Sequence, residues 1–322
     1  MRNLFKINGE KKNDYLEFVE KKYESATYEL YKKLLFKLDE FEEYKGIPSV
    51  NMTKLDFMEF LTSLNSSSLS VLYTYKSSIN NYLLYVTDKQ LFTIGLLELD
   101  KITQNDLAEC INRRAESLQF ITKNEYYNLI QDYKGNYQDK AVVVLLWHKV
   151  KGERNYSEIR NIKNTDINIE NRLIKVDDRI IELDEIEINI IKEAMKEKYY
   201  TKISKINKII TTSEVPIMEG EYLIKTTAWR GNTDAISNQC AYSTFANRFS
   251  NYFTLALGRS ELTGLKIYKS SIYYDMIKKY GRALTRGELE KYAEENNVKI
   301  SLSNNYREQD IMCEKMMDEG VI

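Results

Sequence analysis

Gly264-Leu265-Lys266-Ile267-Tyr268-Lys269-Ser270-Ser271 opens the most telling stretch of the chain, which runs on to residue 306. An amphipathic helix continues from it to Gly281, a residue suited to end a helix because it tolerates the left-handed backbone. A second helix follows, then Asn297, then Tyr306 nine residues further on. Upstream, Ala141–Trp147 is an apolar helix, followed by Lys149–Arg154, by Tyr156-Ser157-Glu158-Ile159 and by Thr165-Asp166-Ile167-Asn168. Arg172–Val176 and Arg179–Leu183 alternate in polarity around Asp177-Asp178, which predicts a β-hairpin.

Residues 13–120 have a different texture. Apolar and aromatic residues recur at three- and four-residue spacing, and Tyr28, Tyr31, Leu34, Leu35 and Leu38 make one core-facing stripe. Gly46-Ile47-Pro48 ends that helix, because proline forces its predecessor out of the helical region. Thr53 caps the next one, Lys54–Leu64, and Asp56 suits the positive end of its dipole. After the polar break Asn65-Ser66-Ser67-Ser68, Ser70–Val86 is helical with Leu72, Tyr75, Ile79, Tyr82 and Leu83 apolar. The period predicts a bundle of four or five helices. Residues 110–122 read as a linker, and Thr122 with Glu125 is a capping box that starts a new helix. The expected division is therefore 1–115 and 116–322.

Composition narrows the class. A chain of 322 residues, 43% hydrophobic and 30% charged, suffices for two domains with proper cores. With two prolines and 12 glycines to interrupt it, helices should dominate. There is no long apolar run and no signal-peptide core, so no membrane partner and a cytoplasmic location are expected. Cys110, Cys240 and Cys313 are odd in number and far apart; they read as buried thiols, not as a disulfide framework or a metal site, and no cofactor is expected. The net charge of −1 is low for a nucleic-acid partner, but phosphate affinity depends on local patches. One patch is Lys192, Lys196, Lys198, Lys202, Lys205 and Lys208; another gathers Arg259, Lys266, Lys269, Lys278, Lys279, Arg282 and Arg286.

The order of these landmarks resembles the tyrosine recombinases, or phage integrases. In that family a His-x-x-Arg box opens a helix, and a second His or Trp stands nine residues before the nucleophilic Tyr. Here the box reads Lys266 and Lys269, the next position Asn297, and the last Tyr306. The resemblance implies a mainly α fold with a small β-hairpin or sheet. It also implies two domains, a helical core-binding domain and an α+β catalytic-like domain.

It further implies site residues. Arg154, in Gly152-Glu153-Arg154, would grip a phosphate, although one extra residue separates it from Ser157-Glu158, and Glu158 would brace the turn. Lys175 stands on the hairpin that carries the family's general-acid lysine, but Asp177-Asp178 would repel a phosphate there. In the first domain the turn residues Ser66, Ser67 and Ser68, with Tyr73, Lys76 and Ser77 after them, would meet the DNA backbone. Arg230, in a polar loop, and Asn247 with Arg248 would approach the duplex.

Histidine titrates near neutrality and shuttles protons, whereas lysine normally stays charged up to pH ~10 and asparagine does not titrate. His148, the one histidine, falls outside both family positions and reads as structural. The expectation is thus a protein that holds duplex DNA and is not an enzyme. The degenerate boxes are similar to those of the master repressors of SPβ-like prophages, which that fold has been recruited to build. This implies a transcriptional repressor that keeps a prophage silent by occupying phage operator sites, released by an antirepressor protein or an inducer. The alternatives are a divergent active recombinase using Tyr306 and a helical protein-interaction module.

Overall fold

A computed structural model describes residues 5–87, 93–152, 155–206, 209–227, 239–296, 298 and 305–322. It divides into two units, Met1–Glu116 and Ser117–Ile322. The class is mainly helical with small antiparallel sheets, as expected. Among the described residues no helix is long and apolar enough to cross a membrane.

The first unit is built of α1 (Gly9–Lys22), α2 (Ser25–Lys45), α3 (Lys54–Ser63), α4 (Leu69–Val86), α5 (Ile94–Asp100), α6 (Gln104–Glu109) and α7 (Arg113–Ser117). The stripe on α2 buries Tyr31, Leu34, Leu35 and Leu38, and the helix stops at Gly46 in the left-handed region (φ 68°). Thr53 caps α3 reciprocally: its hydroxyl accepts from the Asp56 amide and the Asp56 carboxylate accepts from the Thr53 amide. Leu72, Ile79, Tyr82 and Leu83 carry α4 into the same core as Phe57 and Phe60.

A cluster of charged groups lies inside this unit. Lys12, with no exposed surface, donates to Asp39 at 2.6 Å and to Glu42. Asp39 also accepts from the amides of Lys6 (2.8 Å) and Ile7 (2.9 Å), and Glu42 from the amide of Ser49 (2.6 Å). Burial works to raise the Asp39 pKa, yet the Lys12 ammonium and the two amides prevail and hold it below the usual carboxylate range.

The second unit begins with α8 (Lys123–Asp132), capped by Thr122 and Glu125 as the sequence predicts. Its centre is α9 (Tyr137–Trp147), buried along almost its whole length, and α10 (Ser157–Asn161) follows. The predicted hairpin forms from β2 (Leu173–Val176) and β3 (Arg179–Glu182), with Lys175 opposite Ile180 and Asp177 taking a φ of 48° in the turn. A short strand, β1 (Ile167–Asn168), adds to its edge.

After α11 (Glu185–Lys196) the chain forms a second two-stranded ribbon, β4 (Tyr199–Ile206) paired with β5 (Ile209–Pro216). Sequence periodicity does not predict this ribbon. Then come α12 (Tyr242–Asn251), a π-helical turn at Tyr252–Ala256, α13 (Gly264–Tyr280), α14 (Arg286–Glu295) and α15 (Asn305–Asp318).

The amphipathic reading of α13 is corrected: residues on all its sides, Ile267–Tyr274 with Met276 and Ile277, are buried, and it packs against α9 and α15. It ends at Gly281 with φ 69°, as expected. Its first residue must be small. A Cβ on Gly264 would stand 2.6 Å from the Phe249 ring and 2.9 Å from the Tyr156 hydroxyl. The three thiols are free and buried.

Candidate functional site

The turn before α10 is held from within. Gly152 takes a left-handed φ of 72°, and a Cβ there would lie 2.5 Å from the Ser157 hydroxyl, so glycine is required on two counts. The Glu158 carboxylate accepts from the Lys151 amide at 3.0 Å and from Arg179 Nη2 at 2.7 Å, bracing the turn against the hairpin. Arg179 was not singled out by sequence; its position on β3 opposite Val176 is what aims it at Glu158. Lys175 is exposed on β2 and shares a shallow surface depression with Glu158, Asp166 and Asp177. Arg154 lies outside the described residues.

The first turns of α13 bring Lys266 and Lys269 onto one face, three residues apart. Both reach across to α15, where Glu308 accepts from Lys266 Nζ at 2.9 Å and from Lys269 Nζ at 2.6 Å. The Tyr273 hydroxyl donates to the same carboxylate at 2.7 Å, and Lys266 Nζ stands 4.5 Å from the centre of the Phe120 ring. Burial alone would raise the Glu308 pKa, but the two ammonium groups outweigh it and hold the carboxyl below its ordinary range. Among the described residues the cluster therefore joins two ammonium groups to one carboxylate. Lys269 is only 9% exposed, whereas 22% of the Lys266 side chain reaches solvent.

Tyr306 stands on the first turn of α15, two residues before Glu308, a separation that places the two side chains on different faces of the helix. The residue is 55% exposed and its hydroxyl accepts from the Arg286 amide (2.8 Å) at the start of α14. One corner thus unites Lys266, Lys269 and the helix of Tyr306, while the tyrosine hydroxyl itself is directed to α14. Asn297 lies outside the described residues.

In the first unit the serine turn is self-bonded. Ser66 Oγ accepts from the Ser68 amide at 3.2 Å and donates to the Ser68 carbonyl at 3.1 Å. Ser67 is half-buried, Ser68 immediately precedes α4, and Lys76 donates to the Ile102 carbonyl at 2.7 Å. Tyr73 and Ser77 are exposed on α4.

Arg248, on α12, is drawn inward. It donates to the Lys225 carbonyl (2.8 Å) and to Gln138 (3.0 Å), and its guanidinium lies 3.8 Å from the centre of the Tyr200 ring. The Tyr200 hydroxyl donates to Asp139 at 3.1 Å, and burial, against the pull of Arg248, raises the Asp139 pKa. A cavity of about 380 Å³ opens beside this group, lined by Lys202, Thr226 and Asn247 among others. Arg230 lies outside the described residues. His148 closes the last turn of α9, with Nε2 3.0 Å from Glu187, whose carboxylate also accepts from the Tyr126 hydroxyl at 2.7 Å.

Comparison with known proteins supplies the family. Residues 120–319 match the family model described as MrpR, C-terminal catalytic domain, and the chain belongs to that family. The chain is similar to the solved structure of XerA recombinase, at 12% identity and a TM-score of 0.38, covering 96% of this chain and 98% of that one. It is also similar to the Tn1549 transposon integrase in complex with transposon right end DNA, at 11% identity and a TM-score of 0.39, covering 97% and 98%. No curated protein matches it. The family corrects one expectation. The loss of His and Arg from the boxes predicts a chain that is not an enzyme, yet the family to which most of it belongs is described as a catalytic domain.

Proposed function

We propose that this member of the family is a sequence-specific duplex-DNA-binding protein. Its output would be occupancy of operator sites in phage DNA, as a transcriptional repressor that maintains lysogeny, of the kind found in SPβ-like prophages. The observation that supports this best is the corner at the start of α13. There Lys266 and Lys269, at the box positions of the resemblance, meet the helix that carries Tyr306. Ammonium groups held side by side suit a phosphate oxygen, and backbone contacts of that kind set register while other side chains read base edges. The protein would act in the cytoplasm of a bacterial host, and an antirepressor protein or an inducer would release it.

A second reading has a specific observation in its favour. The family is described as a catalytic domain, and Tyr306 is exposed, so site-specific strand cleavage with Tyr306 as nucleophile is the alternative. Gel shift of the purified chain on fragments of its own genome, across a salt series, separates the two. A specific band that dissolves in hot detergent supports the repressor. A band that survives detergent and disappears in Tyr306→Phe supports strand cleavage. Failure to bind any fragment at low salt removes both.

A further inference from the structure

In the ribbon β4–β5, Tyr200 packs under Arg248 and Lys202 lines the cavity beside it, while Lys205 and Ile209–Ser213 enter none of the contacts above. Each strand has eight residues, so at about 3.4 Å per residue it extends roughly 27 Å. An isolated two-stranded ribbon is marginal in water, and this one is fixed along one edge. Asn136 donates to the Thr201 carbonyl (3.0 Å) and accepts from the Thr201 amide (2.7 Å), and Asn251 donates to the Ile203 carbonyl (3.3 Å). Those bonds tie β4 to the body of the unit. The far edge, on β5, has no strand beside it among the described residues.

What the ribbon presents is unusual for a surface hairpin. Ile209 is 66% exposed and Ile210 55%, beside the exposed hydroxyls of Thr212 and Ser213. The register places Lys202 opposite Ser213 on one face, and Lys205 opposite Ile210 on the other. Both lysines are exposed and neither has an ion-pair partner among the described residues. Some lysines elsewhere in the unit are paired, Lys163 with Glu221 (3.1 Å), Lys315 with Glu125 (2.6 Å) and Lys266 and Lys269 with Glu308. The ribbon's carboxylate, Glu214, lies opposite Thr201, nearer the anchored end.

We infer that β4–β5 is the element that enters the major groove of duplex DNA and reads it. The inference rests on the DNA-binding reading above and adds the reading element to it. A major groove about 12 Å wide admits a two-stranded ribbon. With β5 foremost, Lys202 and Lys205 on opposite faces meet the phosphates of the two groove walls. Thr212 and Ser213 offer hydroxyls to base edges, and Ile210 offers an apolar contact to a thymine methyl group. A protein partner pairing with the β5 edge would use the isoleucines but have no need of two opposed ammonium groups.

The test uses the full chain and the duplex that the unaltered protein enriches from a randomised pool. Lys202→Ala with Lys205→Ala should lower the slope of log affinity against log salt by about two units. Thr212→Val should relax base preference at one position with the slope unchanged. In the unaltered complex, guanine N7 atoms in the site should resist dimethyl sulfate. Lys33→Ala with Lys37→Ala, at exposed positions on α2, is the control and should leave the slope as it is.

The inference is overturned if the ribbon pair keeps the full slope, if the control pair lowers it equally, or if bound guanines methylate freely. It is also overturned if ribbon variants change only the sedimentation of the protein, which would mark a contact between copies. Each of those results leaves DNA binding standing. Enrichment of no duplex by the unaltered chain would sink the DNA-binding reading and this inference with it.

Discussion

Two charge clusters in this molecule, at Lys12 and at Glu308, are near mirror images. In the first unit one lysine, Lys12, serves two carboxylates, Asp39 and Glu42, with no solvent at the lysine and at most 7% exposure of either acid. In the second, two lysines serve one carboxylate, Glu308, and solvent reaches 22% of Lys266 and 15% of Glu308. The first has a surplus anion sealed in an apolar bundle, its spare lone pairs taken by the amides of Lys6, Ile7 and Ser49. The second has more cation than anion among the described residues, at a corner water can enter. A sealed cluster organises a fold. A cluster open to solvent can exchange partners, which is what a phosphate site has to do.

Breaking the sealed cluster should have the largest effect. Lys12→Met leaves two buried carboxylates without a cation and should cost about 3–5 kcal/mol, read as a lowered urea midpoint. Replacing all three residues together by apolar ones of similar volume should restore most of that stability, because the desolvation penalty disappears with the charges. A triple variant as unstable as the single one would show that the cluster does more than neutralise itself.

The open cluster should respond less in stability and more in binding. Glu308→Gln leaves two ammonium groups that solvent can reach, so about 1–3 kcal/mol is expected. Salt-dependent DNA affinity should rise in the same variant, since the competing carboxylate is gone. Equal affinity in Glu308→Gln would separate the lysines from the DNA surface. Lys266→Ala with Lys269→Ala is a poorer probe, because it strands Glu308 in a partly buried site and unsettles the fold as well as any binding.

Acid should act on both clusters in the same direction. Asp39 and Glu308 have folded pKa values below their unfolded ones, so their stabilisation is complete above the unfolded values, near pH ~4, and is lost as pH falls through the folded values. A melting-temperature series should therefore fall on acidification, and Glu308→Gln should flatten part of that fall. The smallest effect is expected at the hairpin. Lys175→Ala, exposed and held by no ion pair among the described residues, should change stability by no more than about 0.5 kcal/mol.

Much of this architecture is written locally. Thr53, Thr122, Gly46 and Gly281 mark helix ends by bonds and dihedrals that involve only their neighbours, and the alternation around Asp177-Asp178 encodes a hairpin. The ribbon was not legible. Tyr200, Ile203 and Ile206 stand three residues apart, a helical spacing, and the strand they occupy is stabilised by asparagines distant in the chain. The partner of Lys266 was equally hidden, since Glu308 is 42 residues away and nothing near either residue announces the other. The sequence groups the charges of α13 with Arg259, Arg282 and Arg286 as one basic patch. Only packing reveals that the middle of this helix is buried on all sides and that Lys266 and Lys269 point to a carboxylate.

Glu308 also means that the corner at α13 already has an occupant. An arriving anion finds Lys266 and Lys269 engaged and must displace a covalently tethered rival whose local concentration no dilution can lower. Its affinity is a difference between two bonds of the same chemistry, so a weak or badly aligned anion gains nothing by arriving. A resident carboxylate of this sort trades strength of binding for discrimination, and sets a threshold that stray phosphates in a crowded cell do not cross.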